Sequence, residues 1–529
     1  MTVDAVRRRL LLAAGTAPAI ALGVGAYAAQ PASVVAPTRA GRVRGETTGG
    51  VRVFRGIRYG ADTGPQRFMP PRPPLAWHGV ADALEFGPAC PQPSITEAAS
   101  EDCLFLNVWT SSLDAAARRP VLVYIHGGAY SSGSGSSPLY DGTQLVDRGD
   151  VVVVTLNHRL NAFGYLYLDR VLRRPEFADA GNCGQLDLVL ALHWIRDNIT
   201  GFGGDPACVT LFGQSGGGAK IATLAAMPAA SGLFHRAATM SGQQVTASGP
   251  LNATARTRTL LEALGISSER AAEVATMPTG RLIEALEATD PIIGRGRLYF
   301  GPVLDGRTLT RHPFFPDAPA LSARVPMIIG NTRGETRNLI GKSDPASFEL
   351  GWSDLPERLA AEMRADIAPE TVVAEYRRLY PQASASEVFF AATTASRSWR
   401  GAVIELEARS VVAAPTFAYQ LDWPSPADGG RWGACHGLDI PLVFGTLDAN
   451  GSLTGDGAEA RAVSRQVADA FLAFARSGDP NHAGLPAWTP YRVDERATMV
   501  FDVRSRLERD PRREERLLFA RVPFIQQGT

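Results

Sequence analysis

The sequence predicts an α/β fold: a large, mostly parallel central sheet with helices on both faces and helical cap insertions. Three observations predict it. Val121-Leu122-Val123-Tyr124-Ile125 and Val151-Val152-Val153-Val154-Thr155-Leu156 are unbroken apolar runs, as strands buried on both faces require. Between such runs, Leu186 to Asn198 has helical periodicity, with Leu190, Trp194 and Ile195 on one side. Finally, the β-rich run Val209-Thr210-Leu211-Phe212 enters Gly213-Gln214-Ser215-Gly216-Gly217, and Gly218-Ala219-Lys220-Ile221-Ala222 can then start a helix. Strands alternating with helices in this order are the α/β pattern.

In chain order, the first segment stands apart. Arg7-Arg8-Arg9 is followed by Leu10-Leu11-Leu12, an Ala/Gly-rich apolar stretch and the A-x-A sequence Ala26-Tyr27-Ala28. This reads as a secretory signal over residues 1–28, removed after Ala28, with paired arginines that suggest twin-arginine export. The alternative is a retained membrane anchor, which Gly15, Pro18, Gly23 and Gly25 disfavour. Residues 29–529 then form one domain with cap insertions, exported to the periplasm or beyond. Val43-Arg44-Gly45 and Val51-Arg52-Val53-Phe54 alternate as a hairpin does, and Leu104 to Trp109 is a further strand. Gly203-Gly204-Asp205-Pro206 ends the helical segment before the strand that reaches Ser215. Met327-Ile328-Ile329-Gly330 and Phe417-Ala418-Tyr419-Gln420-Leu421 supply later strands of the same sheet. Residues 254–290 and 345–412, helical and rich in Ala, Glu and Arg, form the caps.

Composition narrows the function. Lys plus Arg equals Asp plus Glu, at 53 each, so the chain carries no charge footprint for nucleic acid or an anionic membrane surface. After the leader no run approaches the ~20 apolar residues a spanning helix needs, so no stable membrane insertion is expected. Five cysteines show no zinc spacing. Cys183 and Cys208 read as buried free thiols. A bridge between Cys90 and Cys103 would close a short loop and stabilise by roughly 3 kcal/mol in the chain-entropy picture.

The G-x-S-x-G stretch is the centre of the chemistry. Strand, G-x-S-x-G and helix in that order make a nucleophile elbow, in which the two glycines remove Cβ atoms that would block a strained serine turn. Acyl transfer through Ser215 needs a base, an orienting acid and an oxyanion hole. His126-Gly127-Gly128-Ala129-Tyr130 follows a buried strand, and its small residues let backbone N–H groups face a developing alkoxide, with the N–H of Gly216 as partner. Four histidines follow Ser215: His235, His312, His436 and His482. His436 lies in a loop between apolar segments, where a base would sit; His482 reads as a surface turn, and His235 and His312 fall too early for the order serine, acid, base. Glu335 lies just past the predicted strand Met327–Gly330 and is the favoured acid. Asp305 and Asp422 remain open by spacing, while Asp439 follows the histidine and fits the order less well.

Together these segments resemble the type-B carboxylesterase family of α/β-hydrolases, which includes bacterial para-nitrobenzyl esterases and, more distantly, the cholinesterases. The resemblance runs from about Val43 to Phe501 and rests on Glu101-Asp102-Cys103-Leu104-Phe105-Leu106-Asn107-Val108, on Phe202–Pro206 with Phe212–Gly218, and on the segment His436–Gly445. It implies an α/β-hydrolase fold with Ser215 as nucleophile, His436 as base and, through Thr332-Arg333-Gly334-Glu335, Glu335 as acid. It also implies oxyanion donors at Gly128, Ala129 and Gly216, a turn shaped by Gly127, a supporting Ser241, a disulfide between Cys90 and Cys103, and a structural ion pair between Glu101 and Arg159. Two departures stand out. The family usually has glutamate at the position of Gln214 and alanine at that of Gly216. A neutral residue at 214 makes the site less acidic, and the loop between Cys90 and Cys103 is short and lacks tryptophan. Both features point to neutral esters and away from choline esters.

The resemblance thus implies hydrolysis of a small-molecule neutral carboxylic ester through an acyl-enzyme, with no metal and no organic cofactor. Two alternatives stay open: the same acyl-enzyme chemistry on an amide, a thioester or an acceptor alcohol, and a catalytically silent binding module. Tyr130 and the segment Arg295–Tyr299 are candidates for the substrate pocket.

Overall fold

The computed structural model describes residues 32–526 and 528. The signal-peptide reading of residues 1–28 lies outside them. The strands are β1 (Ala32–Pro37), β2 (Arg42–Thr48), β3 (Val51–Arg58), β4 (Val80–Asp82), β5 (Phe105–Thr110), β6 (Arg119–Ile125), β7 (Val152–Leu156), β8 (Gly204–Gln214), β9 (Arg236–Met240), β10 (Met327–Thr332), β11 (Thr416–Leu421), β12 (Ala497–Phe501) and β13 (Arg506–Arg509). All join one sheet in the order β1-β2-β3-β5-β7-β6-β8-β9-β10-β11-β12-β13, with β4 paired to β2. From β7 to β12 every neighbouring pair is parallel, and antiparallel strands close both ends. This is the α/β-hydrolase architecture.

The apolar runs explain the parallel centre. In β6, Val121, Val123 and Ile125 enter the core on one face, while Leu122 and Tyr124 enter the core on the other. β7 divides in the same way, with Val152, Val154 and Leu156 on the first face and Val153 on the second. A strand covered on both faces has no polar side to alternate.

The helix over Cys183–Asn198 packs on the first face. Its most buried stripe is Leu188, Leu192 and Ile195; Leu190 is only half-buried, a turn away from where the periodicity placed the core side. The 20-residue helix Ala458–Ser477 covers the second face through Val463, Val467, Phe471 and Phe474.

The two helical segments differ in kind. Helices within 250–285 pack their apolar side, including Leu260, Leu261 and Leu282, onto the core of the first face. The helices from 355 to 409 build a small core of their own around Leu355, Leu359, Tyr376 and Phe389. Within that cap, the helices Ala385–Thr394 and Arg400–Arg409 are joined by a π-helical turn, Ala395–Trp399.

One expected pairing is corrected, and another is present only as two thiols. Cys90 and Cys103 are free, buried thiols in this structure, with the Cys103 thiol hydrogen-bonded to Cys90 and no bridge between them. Glu101 and Arg159 do not pair. Arg67 Nε donates to Glu101 Oε2 at 2.7 Å, and Arg159 makes a two-pronged pair with Asp187 (Nε–Oδ2 2.9 Å, Nη2–Oδ1 2.6 Å) while also donating to the Met69 carbonyl. Both residues still hold the fold, each through a nearer partner of opposite charge. Cys183 is a buried free thiol as expected. Cys208 is free but only half-buried, its sulfur accepting from Arg236 Nη1 at 3.2 Å.

Candidate active site

Ser215 stands between the end of β8 and the helix Gly216–Leu224, at φ 56° and ψ −127°. That conformation is costly for a residue with a Cβ, so the surroundings must impose it. The Ser215 N–H donates to the Met240 carbonyl at the end of β9, 2.7 Å away. A Cβ on Gly217 would lie 1.9 Å from the Ile125 carbonyl oxygen, and one on Gly213 would lie 2.7 Å from the same atom. The elbow can form only because both positions are bare.

The loop after β6 closes on this turn. Gly128 (φ 81°) and Ala129 (φ 52°) both adopt left-handed backbone where the loop leaves β6. Gly127 has its own reason to be glycine: a Cβ there would stand 2.9 Å from the Gln214 carbonyl oxygen. Among the described residues the N–H groups of Gly128 and Ala129 donate to no protein acceptor, and Gly216 opens its helix, where the N–H has no intrahelical partner. A Cβ on Gly216 would sit 2.5 Å from Ala129 N, so the loop rests against a bare Cα where the family usually carries alanine.

Glu335 follows β10 and is fully buried. Its Oε2 is hydrogen-bonded to His436 Nδ1, and its Oε1 accepts from Thr332 N at 2.8 Å and Asn331 Nδ2 at 3.2 Å. Burial alone would push the carboxyl up. The facing imidazole and hydrogen bonds outweigh it, and Glu335 is held below the usual glutamate range. Ser241 contributes to that lowering from beside the carboxylate, although its Oγ makes no hydrogen bond of ordinary geometry.

The rival acids have other work. Asp305 caps a turn by accepting from the N–H groups of Arg307, Thr308 and Leu309. Asp422 meets Gln420 and Arg506. Asp439 accepts from Tyr419 Oη at 2.7 Å, and burial pushes it up to about 6. The rival histidines are likewise placed away from Ser215: His235 Nδ1 accepts from Val209 N, His312 Nδ1 from Ala247 N, and His482 Nδ1 from Gly484 N.

Three contacts at the site had no sequence signal. Gln214, one residue before the serine, places its side-chain Nε2 3.1 Å from His436 Nε2. With Nδ1–H committed to Glu335, the neutral imidazole accepts there and the Gln214 amide donates. Asn338 brackets the His436 backbone, donating to its carbonyl at 2.7 Å and accepting from its N–H at 3.1 Å. Lys220, buried on the elbow helix, donates to the His126 carbonyl at 3.0 Å, and burial lowers its ammonium to about 7. Only the partner's position in space could have revealed these contacts.

Ser215, Gly216, Ala129 and His436 line one cavity of about 250 Å³. Of the expected pocket residues, Tyr130 and Tyr299 line it, whereas Arg295 and Arg297 line an adjoining cavity. Among the described residues no cluster of side chains could hold a metal ion, and no helix is long and apolar enough to cross a membrane.

Fold and site together define an α/β-hydrolase. The Carboxylesterase family matches residues 32–519. Over 499 residues the chain is 36% identical to the para-nitrobenzyl esterase of Bacillus subtilis (strain 168), covering 91% of this chain and 97% of that one. It is 34% identical to the phenmedipham hydrolase of Pseudarthrobacter oxydans, covering 88% and 94%. A crystal structure of a Geobacillus stearothermophilus carboxylesterase superposes with a TM-score of 0.81 at 39% identity, covering 92% of this chain and 99% of that one. The chain belongs to the carboxylesterase family and is a hydrolase acting on carboxylic esters.

Proposed function

We propose that Ser215, His436 and Glu335 carry out ester hydrolysis in two steps, with Gly128, Ala129 and Gly216 as the oxyanion hole. Ser215 Oγ attacks the acyl carbon as its proton passes to His436 Nε2. Glu335 holds the imidazole with Nδ1 protonated and stabilises the charge that develops. The carbonyl oxygen, now negative, meets the three N–H groups. On collapse the alcohol leaves with the proton from His436. Water then attacks the acyl-enzyme, giving its proton to His436, and the acid departs as Oγ takes the proton back. For the attack, His436 Nε2 must leave the Gln214 amide for Ser215 Oγ; catalytic hydrogen bonds commonly tighten only when substrate is present.

The observation that carries this reading is the buried Glu335–His436 hydrogen bond, opening onto the same cavity as a serine held at positive φ. Ser215→Ala should lose at least about 10⁴-fold in kcat on a neutral ester while keeping the wild-type melting profile. A variant with near-wild-type turnover would overturn the assignment.

Residues 29–529 are read as one catalytic domain, exported after cleavage at Ala28. In an oxidising compartment the adjacent thiols of Cys90 and Cys103 would bridge. Intact-mass analysis of protein recovered from the periplasm or medium should show a chain starting at Ala29 and lacking two hydrogens until reductant is added. A full-length, fully reduced chain would contradict both points.

A further inference from the structure

The two hydrolysis steps give no part to Lys220, yet its placement is costly. The side chain is fully buried on the helix Gly216–Leu224, and among the described residues no carboxylate pairs with it. An ammonium taken out of water without a counter-charge destabilises a fold. Burial accordingly lowers it to about 7.

What Lys220 touches is the loop after β6, on both sides of Gly128 and Ala129. Before them, Nζ donates to the His126 carbonyl at 3.0 Å. After them, Nζ lies 5.7 Å from the centre of the Tyr130 ring, within the reach of a cation over an aromatic face. The hold is passed on within the loop. His126 Nδ1 lies 2.9 Å from the Gly127 carbonyl oxygen, which can only accept, so Nδ1 carries the proton. Burial and then Lys220 lower this imidazole to about 3, so it is neutral, and it stacks on His158 with ring centres 4.7 Å apart. The Gly127 carbonyl and the Gly128 N–H belong to one planar peptide, so fixing the first aims the second. Gly216 opens the same helix one turn before Lys220. One helix therefore carries the third N–H and the anchor for the loop that carries the other two.

We propose that Lys220 is a positioning residue for the oxyanion hole: it fixes the loop of Gly128 and Ala129 against the helix of Gly216, so that the three N–H groups are in place before substrate binds. The proposal rests on Gly128, Ala129 and Gly216 being the oxyanion donors. The buried, unpaired amine is then a loss of stability retained for preorganisation.

Lys220→Met keeps an unbranched apolar stem but has no donor and no charge. Its kcat on p-nitrophenyl butyrate should fall about 10–100-fold, with KM changed by less than about twofold. The melting temperature should hold or rise, because a desolvated ammonium has gone. A trifluoromethyl ketone reports on the hole directly: Ser215 Oγ adds to its carbonyl carbon, the Oγ proton passes to His436, and an oxyanion is left facing the N–H groups. Its affinity should fall by about the same factor as kcat, while that of the matching methyl ketone, bound as an intact carbonyl, should not change. A merely structural lysine would lower the melting temperature and weaken both ketones alike. His126→Phe, which keeps a ring against His158 but has no Nδ1–H, should show the same selective loss, and it decides if Lys220→Met does not fold. Unchanged kcat and trifluoromethyl ketone affinity, or equal loss for both ketones, would overturn the proposal. A wild type that hydrolyses the ester yet does not favour the trifluoromethyl ketone over the methyl ketone would overturn the oxyanion hole itself, and the proposal with it.

Discussion

At the residue scale, the site depends on a few atoms whose positions are set by their immediate neighbours. Ser215 holds positive φ because its N–H is tied to β9 and the glycines on either side let β6 approach. Glu335 is buried yet ionised because every direction it faces offers a donor. Glu335→Gln keeps the shape but takes away the charge and allows the wrong imidazole tautomer. The expected result is a fall in kcat on the order of 10³–10⁴ with little change in KM, read by steady-state kinetics on a neutral ester; loss confined to KM would assign Glu335 to binding instead.

Ser215 stood out in the sequence because the elbow constrains its local wording, whereas His436 and Glu335 were only favoured by their places past strand ends, with Asp305 and Asp422 left open until the family resemblance singled out Glu335. Gln214 was read only as a lost negative charge. Its contact with His436 depends on where two loops meet, more than 200 positions apart in the chain. The mispairing of Glu101 with Arg159 has the same cause: a charge finds its nearest partner in space, and Arg67 and Asp187 are nearer.

Among the elements, β6 and β7 could be read directly, since a strand covered on both faces must be apolar throughout. β9 could not. Arg236-Ala237-Ala238-Thr239-Met240 is short, and its small residues carry no strong strand preference, yet it lies between β8 and β10 and supplies the acceptor for Ser215 N–H. The π-helical turn at Ala395–Trp399 likewise has no periodic signature.

The helix after that turn carries Glu405, fully buried, with Oε1 accepting from Gln244 N at 2.7 Å and Oε2 unpaired. Burial pushes its carboxyl up to about 8, against the pull of that hydrogen bond and of Arg409. The folded chain therefore keeps a proton there that the unfolded chain loses near 4.5. This contribution to stability is whole below the unfolded value and is lost as pH rises through about 8. Glu405→Gln should flatten the decline of the urea midpoint between about pH 5 and 8. An unchanged slope would mean that Glu405 is ionised in the fold.

On the scale of the whole molecule, the sheet brings together residues from distant parts of the chain. The proposed nucleophile comes from the end of β8, the proposed acid from just past β10, and the proposed base from the loop after β11. That order was legible, because strand ends on one edge of a parallel sheet are where such groups converge. The substrate passage was not. Its walls come from the oxyanion loop, the cap helices and the C-terminal residues Phe524 and Gln526, and no local pattern marks their meeting.

The central claim is that one serine in this chain is a nucleophile. Incubation with an organophosphate, followed by intact-mass analysis and peptide mapping, tests it most directly. The account predicts one adduct per chain, on Ser215, parallel loss of esterase activity, and no adduct in Ser215→Ala. An unmodified Ser215 in folded protein, or an adduct on another residue that accounts for the lost activity, would contradict it.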